Sequence, residues 1–247
     1  MKISVITVCY NSVSTIEATI LSVLQQSYAT IEYIVVDGDS NDGTKSVLEK
    51  YRDKITKIVS EKDKGLYDAL NKGIKLATGD VIAFLHADDF YTDPLVVEKY
   101  VKVFVGGNYD AVYANLFYVD ADDTTKVKRK WNSGEYNHGE FLNGWMPPHP
   151  TLFVRKEIYE KYGSFNTDFK TSADYELMLR LIHKHKIKLG YLKEFTVKMR
   201  VGGQSNASLN NRIKANLEDR RAWEVNQLKP RFYTLLLKPF RKISQFF

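Results

Sequence analysis

The 247-residue sequence has a single cysteine, no long apolar run and no recognisable leader. Cys9 alone excludes an internal disulfide, and because it lies in a predicted buried strand we expect a small core residue rather than a nucleophile. The sequence has no run of about 18 apolar residues, so no transmembrane helix is expected. Residues 1–10 lack the apolar segment and cleavage site of a signal peptide. Together these absences predict a protein of the reducing cytoplasm.

The net charge of +6 is unevenly distributed along the chain. Acidic residues are concentrated between Glu32 and Asp123, whereas basic residues dominate from Arg180 onward. A basic pole suits nucleic acid, anionic lipid or a diphosphate substrate. Because the sequence has neither a basic helix with interleaved readout side chains nor zinc-finger spacing, we do not expect nucleic acid as a partner.

Strand and helix patterns alternate over the first ~115 residues, as in an α/β domain with a mostly parallel sheet flanked by helices. The predicted strands are 3–8, 34–36, 55–60 and 81–85, and the predicted helices are 15–26, 44–51 and 66–77. Sheets of this kind bind ligands at the carboxyl ends of their strands. The sequence places polar and acidic residues at each of these ends, so we expect the functional site there.

The second half of the chain has longer, more aromatic strands. We predict strands at 111–120, 125–131, 151–154 and 189–199, and helices at 173–185 and 208–227. No linker separates the two halves, so residues 1–205 are predicted to form one domain and residues 206–247 a C-terminal helical segment.

Two acidic motifs are candidates for chemistry. Asp88 and Asp89 follow a predicted strand, and adjacent carboxylates repel each other unless a cation or hydrogen-bond donors compensate. A divalent ion provides that compensation, while a solvated acidic turn is the alternative. Asp174 begins a predicted helix, where it is either a general base or a carboxylate that interacts with the helix dipole.

Five blocks, read in order, resemble glycosyltransferase family 2, whose members invert the anomeric configuration. The blocks cover roughly residues 1–205 and are Thr7-Val8-Cys9-Tyr10-Asn11, Asp37-Gly38-Asp39-Ser40-Asn41-Asp42-Gly43-Thr44, Asp63-Lys64-Gly65-Leu66-Tyr67-Asp68-Ala69-Leu70-Asn71-Lys72-Gly73, Ala87-Asp88-Asp89 and Ala173-Asp174-Tyr175-Glu176. The resemblance implies a GT-A fold, a nucleotide-diphosphate sugar donor and a Mg or Mn ion. It also implies a nucleotide-sugar half at about 1–115 and an acceptor half at about 116–205.

The resemblance assigns roles to individual residues. Asp89 resembles the metal-binding acid, Asp88 the acid beside it that contacts donor ribose or metal, and Asp174 the catalytic base. The implied donor-binding residues are Thr7, Cys9, Tyr10, Asn11, Asp37, Lys64 and Gly65. Many relatives carry a second acid where this chain has Gly38, which leaves the choice between UDP and GDP sugars open.

Three further segments each have two possible roles. His149, in a proline-rich stretch, is either a donor-site residue or a turn residue satisfied by backbone. The segment 201–206 resembles a glycine-containing flap, with a plain loop as the alternative. In residues 231–247 the apolar side chains Phe232, Leu236, Phe240, Ile243 and Phe247 fall at helical spacing among basic residues. This tail either lies in an anionic membrane interface or packs on the domain.

The leading hypothesis is an inverting transferase that adds a sugar to a glycan or lipid-linked glycan in surface polysaccharide or lipopolysaccharide synthesis. It would act in the cytoplasm, at the inner face of the plasma membrane if the tail binds lipid. The alternatives are a nucleotidyltransferase, which the absence of a suitable Gly-rich loop disfavours, and a non-catalytic nucleotide-sugar binding or scaffold protein.

Overall fold

A computed structural model describes residues 1–202 and 209–241. The strands in these residues are β1 (Ile3–Cys9), β2 (Ile31–Asp37), β3 (Lys57–Ser60), β4 (Val81–Phe84), β5 (Phe90–Tyr91), β6 (Ala111–Val119), β7 (Val127–Trp131), β8 (Phe153–Arg155) and β9 (Leu189–Arg200). The helices are α1 (Ile16–Leu24), α2 (Thr44–Lys50), α3 (Leu66–Leu76), α4 (Val96–Gly106), α5 (Lys156–Tyr162), α6 (Ala173–Met178), α7 (Leu209–Val225) and α8 (Thr234–Phe240).

All nine of these strands join one sheet in the order β3-β2-β1-β4-β8-β6-β9-β5, with β7 beside β6. The pairs β3–β2, β2–β1 and β1–β4 are parallel. The strand β8 runs antiparallel between β4 and β6, and β9 is again parallel to β6. The predicted α/β architecture, a mostly parallel sheet flanked by helices, is therefore confirmed.

The sheet separates two apolar layers because successive side chains of a strand point to opposite faces. On one face, Ile6 and Ile34 pack in a cluster that includes Leu70 of α3 and Trp223 of α7. On the other face, Val5 packs in a cluster with residues of α1 and α4. The sheet is thus buried on both sides, as expected of parallel strands connected by helices.

Several elements after Asp93 differ from the prediction. The sequence indicated only a helix start at Pro94 for α4, whose valine-rich residues are as typical of a buried strand as of a helix, and it predicted no helix at α5. The strand predicted from residue 151 begins at Phe153, since His149–Thr151 forms a 3₁₀ turn. The helix predicted over 173–185 is α-helical only to Met178 and continues as a π-helix over Leu179–Lys184.

The described part of the C-terminal segment packs on the domain. Thr234 is fully buried, and its hydroxyl donates to the Leu142 carbonyl at 2.7 Å. Lys238 Nζ lies 2.5 Å from Asp219 Oδ2, which ties α8 to α7. Most of the predicted flap, 203–206, and the chain end, 242–247, lie outside the described residues.

Across 1–202 and 209–241, we find no helix that combines the length and the apolar character needed to cross a membrane.

Gly73 brings α3 against β1 and provides a stability test. A Cβ at this position would lie 2.4 Å from Ile6 Cγ2. We expect Gly73→Ala to lower the free energy of unfolding by about 1–2 kcal/mol, because an overpacking cost of about 1–3 kcal/mol exceeds the gain in helix propensity. Chemical denaturation measures the change. Gly106→Ala is the control, since a Cβ at Gly106 meets no atom within 4 Å; equal effects of the two changes would contradict this packing.

Candidate active site

The carboxyl ends of the first four strands meet at one edge of the sheet. Cys9 at the end of β1 is in register with Asp37 at the end of β2, which is in register with Ser60 at the end of β3. An open cavity of about 660 Å³ lies at this edge. Its volume is in the range typical of small-molecule sites. The cavity is lined by Tyr10, Gly38, Asp39, Ser40, Asn41, Lys45, Lys62, Asp63 and Gly65.

Gly38 allows Asp63 to approach the floor of this cavity. A Cβ on Gly38 would lie 2.6 Å from Asp63 Oδ2 and 3.3 Å from the ring of Tyr10. The Tyr10 ring is 61% exposed and therefore open to a ligand. The glycine that departs from the family pattern thus has a local reason: any larger residue would displace the Asp63 carboxylate or the Tyr10 ring.

Asp37 orders the turn after β2 instead of lining the cavity. Its buried carboxylate accepts hydrogen bonds from Ser40 Oγ at 2.5 Å and from Ser60 Oγ at 2.6 Å. The Cys9 thiol lies 3.7 Å from Asp37 Oδ1, and burial together with the Asp37 charge raises the pKa of Cys9. Thr7 is fully buried and its hydroxyl accepts from Tyr33. The side chains of Thr7, Cys9 and Asp37 are therefore bonded to other protein groups and stabilise the strand ends that form the site.

Asn11 and Gly65 shape the loops around the cavity through unusual backbone conformations. Asn11 has a φ of 49°, and its Oδ1 accepts from the Asn41 N–H at 3.0 Å, which joins the loops after β1 and β2. Gly65 has a φ of 117°, a region that favours glycine. The neighbouring Lys64 is exposed, and its N–H donates to Asp68 Oδ2 at 3.0 Å.

Asp89 presents a buried carboxylate that lacks a hydrogen-bond partner. It is 1% exposed, and neither carboxylate oxygen is bonded to any group in the described residues. Burial and the neighbouring Asp88 raise the pKa of Asp89 well above its usual range, while Arg200 opposes this shift. Arg200, at the end of β9, donates a hydrogen bond to the carbonyl of Asp88.

An unpartnered buried carboxylate fits a bound divalent cation, because a cation removes the cost of the buried charge. Asp89, with Asp88 beside it, provides the hard oxygen atoms that Mg²⁺ and Mn²⁺ prefer. In the part of the chain that the structure covers, no three His, Cys, Asp or Glu side chains are grouped closely enough to hold an ion. The remaining ligands would therefore come from water or substrate oxygens, as is common for Mg²⁺.

Asp174 lies in the first turn of α6 and contacts α3. Its Oδ1 accepts a hydrogen bond from the Tyr67 hydroxyl at 3.3 Å. Burial and the Asp174 charge raise the pKa of Tyr67, so this hydroxyl stays a donor at neutral pH. Burial raises the pKa of Tyr118 on β6, Arg129 opposes this shift, and the charges of both Asp89 and Asp174 add to it. The two halves of the chain thus bring both acids to one region.

Two histidines complete this region. Burial lowers the pKa of His86, and the charges of Asp88 and Asp174 act against this shift. The His86 ring lies 5.5 Å from the ring of His149. His149 is 8% exposed, burial lowers its pKa to about 3, and its Nε2 has no partner among the described residues. His149 is therefore neutral at physiological pH and has one ring nitrogen left for a ligand.

Sequence reasoning assigned no role to four residues that the structure brings to this region, namely Tyr67, His86, Tyr118 and Arg200. His86 carried a usable signal, because it stands three residues before Asp89 at the end of β4. The other three reach the region from distant elements: α3, β6 and β9.

Comparison with known proteins identifies the family. Residues 4–163 match the profile described as Glycosyl transferase family 2. An uncharacterised glycosyltransferase of Mycobacterium tuberculosis is 33% identical over 180 residues, which cover 72% of this chain and 68% of that protein. A PGL/p-HBAD biosynthesis glycosyltransferase of Mycobacterium bovis is 25% identical over 194 residues, 76% of this chain and 73% of that protein.

Solved structures share the fold at low sequence identity. TarS 1–349 of S. aureus has a TM-score of 0.71 and 19% identity, with 99% of this chain and 72% of that chain covered. The mannosyltransferase PcManGT of Pyrobaculum calidifontis has a TM-score of 0.70 and 19% identity, with 97% and 69% covered. The fold is the GT-A fold that the motifs predicted, and the chain belongs to glycosyl transferase family 2.

Proposed function

We propose that this glycosyltransferase moves a sugar from a nucleotide-diphosphate sugar to an acceptor hydroxyl with inversion, and that it depends on a divalent metal at Asp89. The observation that carries the proposal is the buried, unpartnered carboxylate of Asp89, which follows β4 at the edge of the sheet where the open cavity lies. The charges of Asp89 and of Asp174 both act on Tyr118. A cation site next to a general base is what a single displacement at an anomeric carbon requires.

The cavity between Tyr10 and Asp63 is the proposed nucleoside site. Its exposed aromatic ring and polar rim suit a base and a ribose. Structural neighbours support a nucleotide-sugar donor: TarS has been solved with UDP and with UDP-GlcNAc, and PcManGT with GDP-Man and Mn²⁺. We therefore propose a UDP or GDP sugar as donor and Mg²⁺ or Mn²⁺ as the ion.

In the proposed reaction, Asp174 accepts the proton of the acceptor hydroxyl while that oxygen bonds to the anomeric carbon. The bond from this carbon to the diphosphate oxygen breaks on the opposite side, and its electron pair leaves with the diphosphate. A bound divalent ion supplies positive charge for the leaving group. Arg200 adds a fixed positive charge beside Asp88 and Asp89. The neutral His149 offers Nε2 for one hydrogen bond to substrate.

We propose a glycan or lipid-linked glycan as acceptor, in surface polysaccharide or lipopolysaccharide synthesis. The relative named for PGL/p-HBAD biosynthesis supports a role in the assembly of a glycan. The proposed setting is the cytoplasm, with peripheral contact to anionic membrane through residues 231–247. In the described part of this tail, Phe232 is 93% exposed beside Arg231.

Asp174→Asn tests the general base. We expect the rate of transfer to fall by about 10²–10⁴-fold, because the amide cannot accept the hydroxyl proton. Donor affinity should stay within about twofold, since no residue of α6 lines the cavity. Turnover is measured as nucleotide release over a panel of UDP, GDP and dTDP sugars, and affinity by calorimetry. The matched control is Asp168→Asn in the exposed loop before α6; near-native turnover of Asp174→Asn would sink the assignment. Donor binding by the intact protein without transfer or hydrolysis would support a non-catalytic role instead.

Asp89→Asn tests the metal site through stability. Because the folded-state pKa of Asp89 is raised, the stability associated with its protonated form is present at acidic pH and lost as pH rises through that pKa. At pH 8 without metal, we expect the variant to be more stable by about 1–3 kcal/mol, or roughly 2–10 °C in Tm. Mn²⁺ should raise the Tm of the intact protein and leave that of the variant unchanged. Equal Mn²⁺ responses in a thermal-shift assay would contradict a metal at Asp89.

Phe232→Ser tests the membrane contact. We expect at least about a threefold loss of binding to vesicles that contain anionic lipid, because an interfacial phenylalanine contributes apolar burial that serine lacks. Cosedimentation with anionic and neutral vesicles measures this. Val105→Ser, which alters another exposed apolar residue on α4, serves as control. Indistinguishable binding of Phe232→Ser and the intact protein would remove Phe232 from the proposed contact.

A further inference from the structure

The segment that carries Asp174 is held by one face of α7. Residues that precede Asp174 contact Ala215 and Glu218 of this helix. Residues that follow it make two further contacts: the Trp223 indole N–H donates to the Tyr175 hydroxyl at 2.9 Å, and Asn226, directly after the end of α7, donates to Glu176 Oε1 at 2.9 Å. Asp174 is therefore flanked on both sides by residues bonded to α7.

Glu218 makes the densest of these contacts. Its Oε1 accepts from the Lys170 N–H at 2.8 Å. Its Oε2 accepts from the Thr171 N–H and hydroxyl, both at 2.8 Å, and from the Ser172 N–H at 2.9 Å. One carboxylate thus receives four hydrogen bonds, three of them from consecutive backbone N–H groups. Burial acts to raise the pKa of Glu218, but the backbone hydrogen bonds outweigh it and the pKa is lowered, so the carboxylate is ionised at neutral pH.

Glu218 holds the backbone directly before α6, where Ser172 makes no side-chain cap. Ser172 occupies the N-cap position, where a serine usually bonds to the first turn, yet its side chain makes no such bond. Its hydroxyl donates instead to the Ala215 carbonyl at 3.2 Å. Asp174 follows Ser172 by two residues and lies in the first turn of α6, directly after the backbone that Glu218 holds.

We propose that Glu218 is a positioning residue that fixes Asp174 in the orientation needed to accept the acceptor proton. The inference rests on the proposed role of Asp174 as the base. Its physical content is that a carboxylate on α7 fixes the backbone of residues 170–172, which ends two residues before Asp174. A general base displaced by about 1 Å can lose roughly 10²-fold in rate, so this anchor has a measurable kinetic effect.

Glu218→Gln is the test, because glutamine keeps the shape and one acceptor oxygen but turns an NH₂ group toward backbone N–H donors. We expect kcat, normalised to the number of donor-binding sites titrated by calorimetry, to fall by about 10- to 100-fold. Donor affinity should stay within about twofold, because none of the α7 side chains that the structure describes lines the cavity. Amide hydrogen exchange of residues 169–174 should become at least about tenfold faster, since three N–H groups share this acceptor.

A double variant separates positioning from general stability. If Glu218 acts through Asp174, adding Glu218→Gln to Asp174→Asn lowers the residual turnover by less than about twofold. A role in overall stability would lower turnover by the same factor in both backgrounds. Glu224→Gln is the matched control on the same helix: Glu224 is 66% exposed and pairs only with Arg220 among the described residues.

Each outcome bears on one proposal. Unchanged exchange at 169–174 in Glu218→Gln, or unchanged normalised kcat, overturns the positioning role. If the Asp174→Asn variant keeps the turnover of the unmodified protein, the proposed role of Asp174 as base is wrong. That result does not overturn the anchoring by Glu218, because the exchange measurement tests it without substrate. Faster exchange confined to Glu218→Gln, a lower kcat and non-additivity with Asp174→Asn together establish the inference.

Discussion

Parallel hydrogen bonding of β3 to β2, of β2 to β1 and of β1 to β4 brings the polar loops after these four strands to one edge of the sheet. Parallel strands end on the same side, so the residues that follow each strand become neighbours although they are far apart in sequence. The cavity between Tyr10, Gly38 and Asp63 and the acids after β4 both follow from this pairing. The apolar layers on both faces of the sheet keep the pairing fixed.

The second half of the chain contributes the other carboxylate of the candidate site, Asp174, from a helix and not from a strand end. The antiparallel strand β8 joins β4 to β6 and so continues the sheet past the acids. The helix α6 then presents Asp174 from one side, where Tyr67 of the first half donates to it. Asp174 stands in the first turn of a short helix, and the backbone before this helix is anchored by hydrogen bonds. The face of α7, and α8 behind it through the Lys238–Asp219 ion pair, provide that anchor.

Alternating apolar runs and turn residues were sufficient to predict the elements from β1 to β4, because these strands are short, β-branched and alternate with helical patterns. The five motif blocks were sufficient for the family and for Asp89 and Asp174 as candidates. They did not predict His86, Arg200 or Glu218. Arg200 reaches Asp88 from 112 positions away, and Glu218 reaches Ser172 from 46 positions away. Such partners depend on the tertiary arrangement, and neither periodicity nor spacing encodes it in a single sequence.

The buried polar groups of the site fall into two classes: those that are hydrogen-bonded within the protein, and those that have no partner in the described residues. Asp37 is bonded to two serines, and Glu176 is bonded to Arg180 and Asn226, so each stabilises the fold and has little capacity left for a ligand. The Asp89 carboxylate and His149 Nε2 are equally inaccessible to solvent and have no partner in the described residues. Leaving a buried polar group unsatisfied costs about 1–3 kcal/mol, and more for a charge. That cost is removed when a ligand binds, so among the residues of the candidate site Asp89 and His149 are the ones expected to meet metal and substrate.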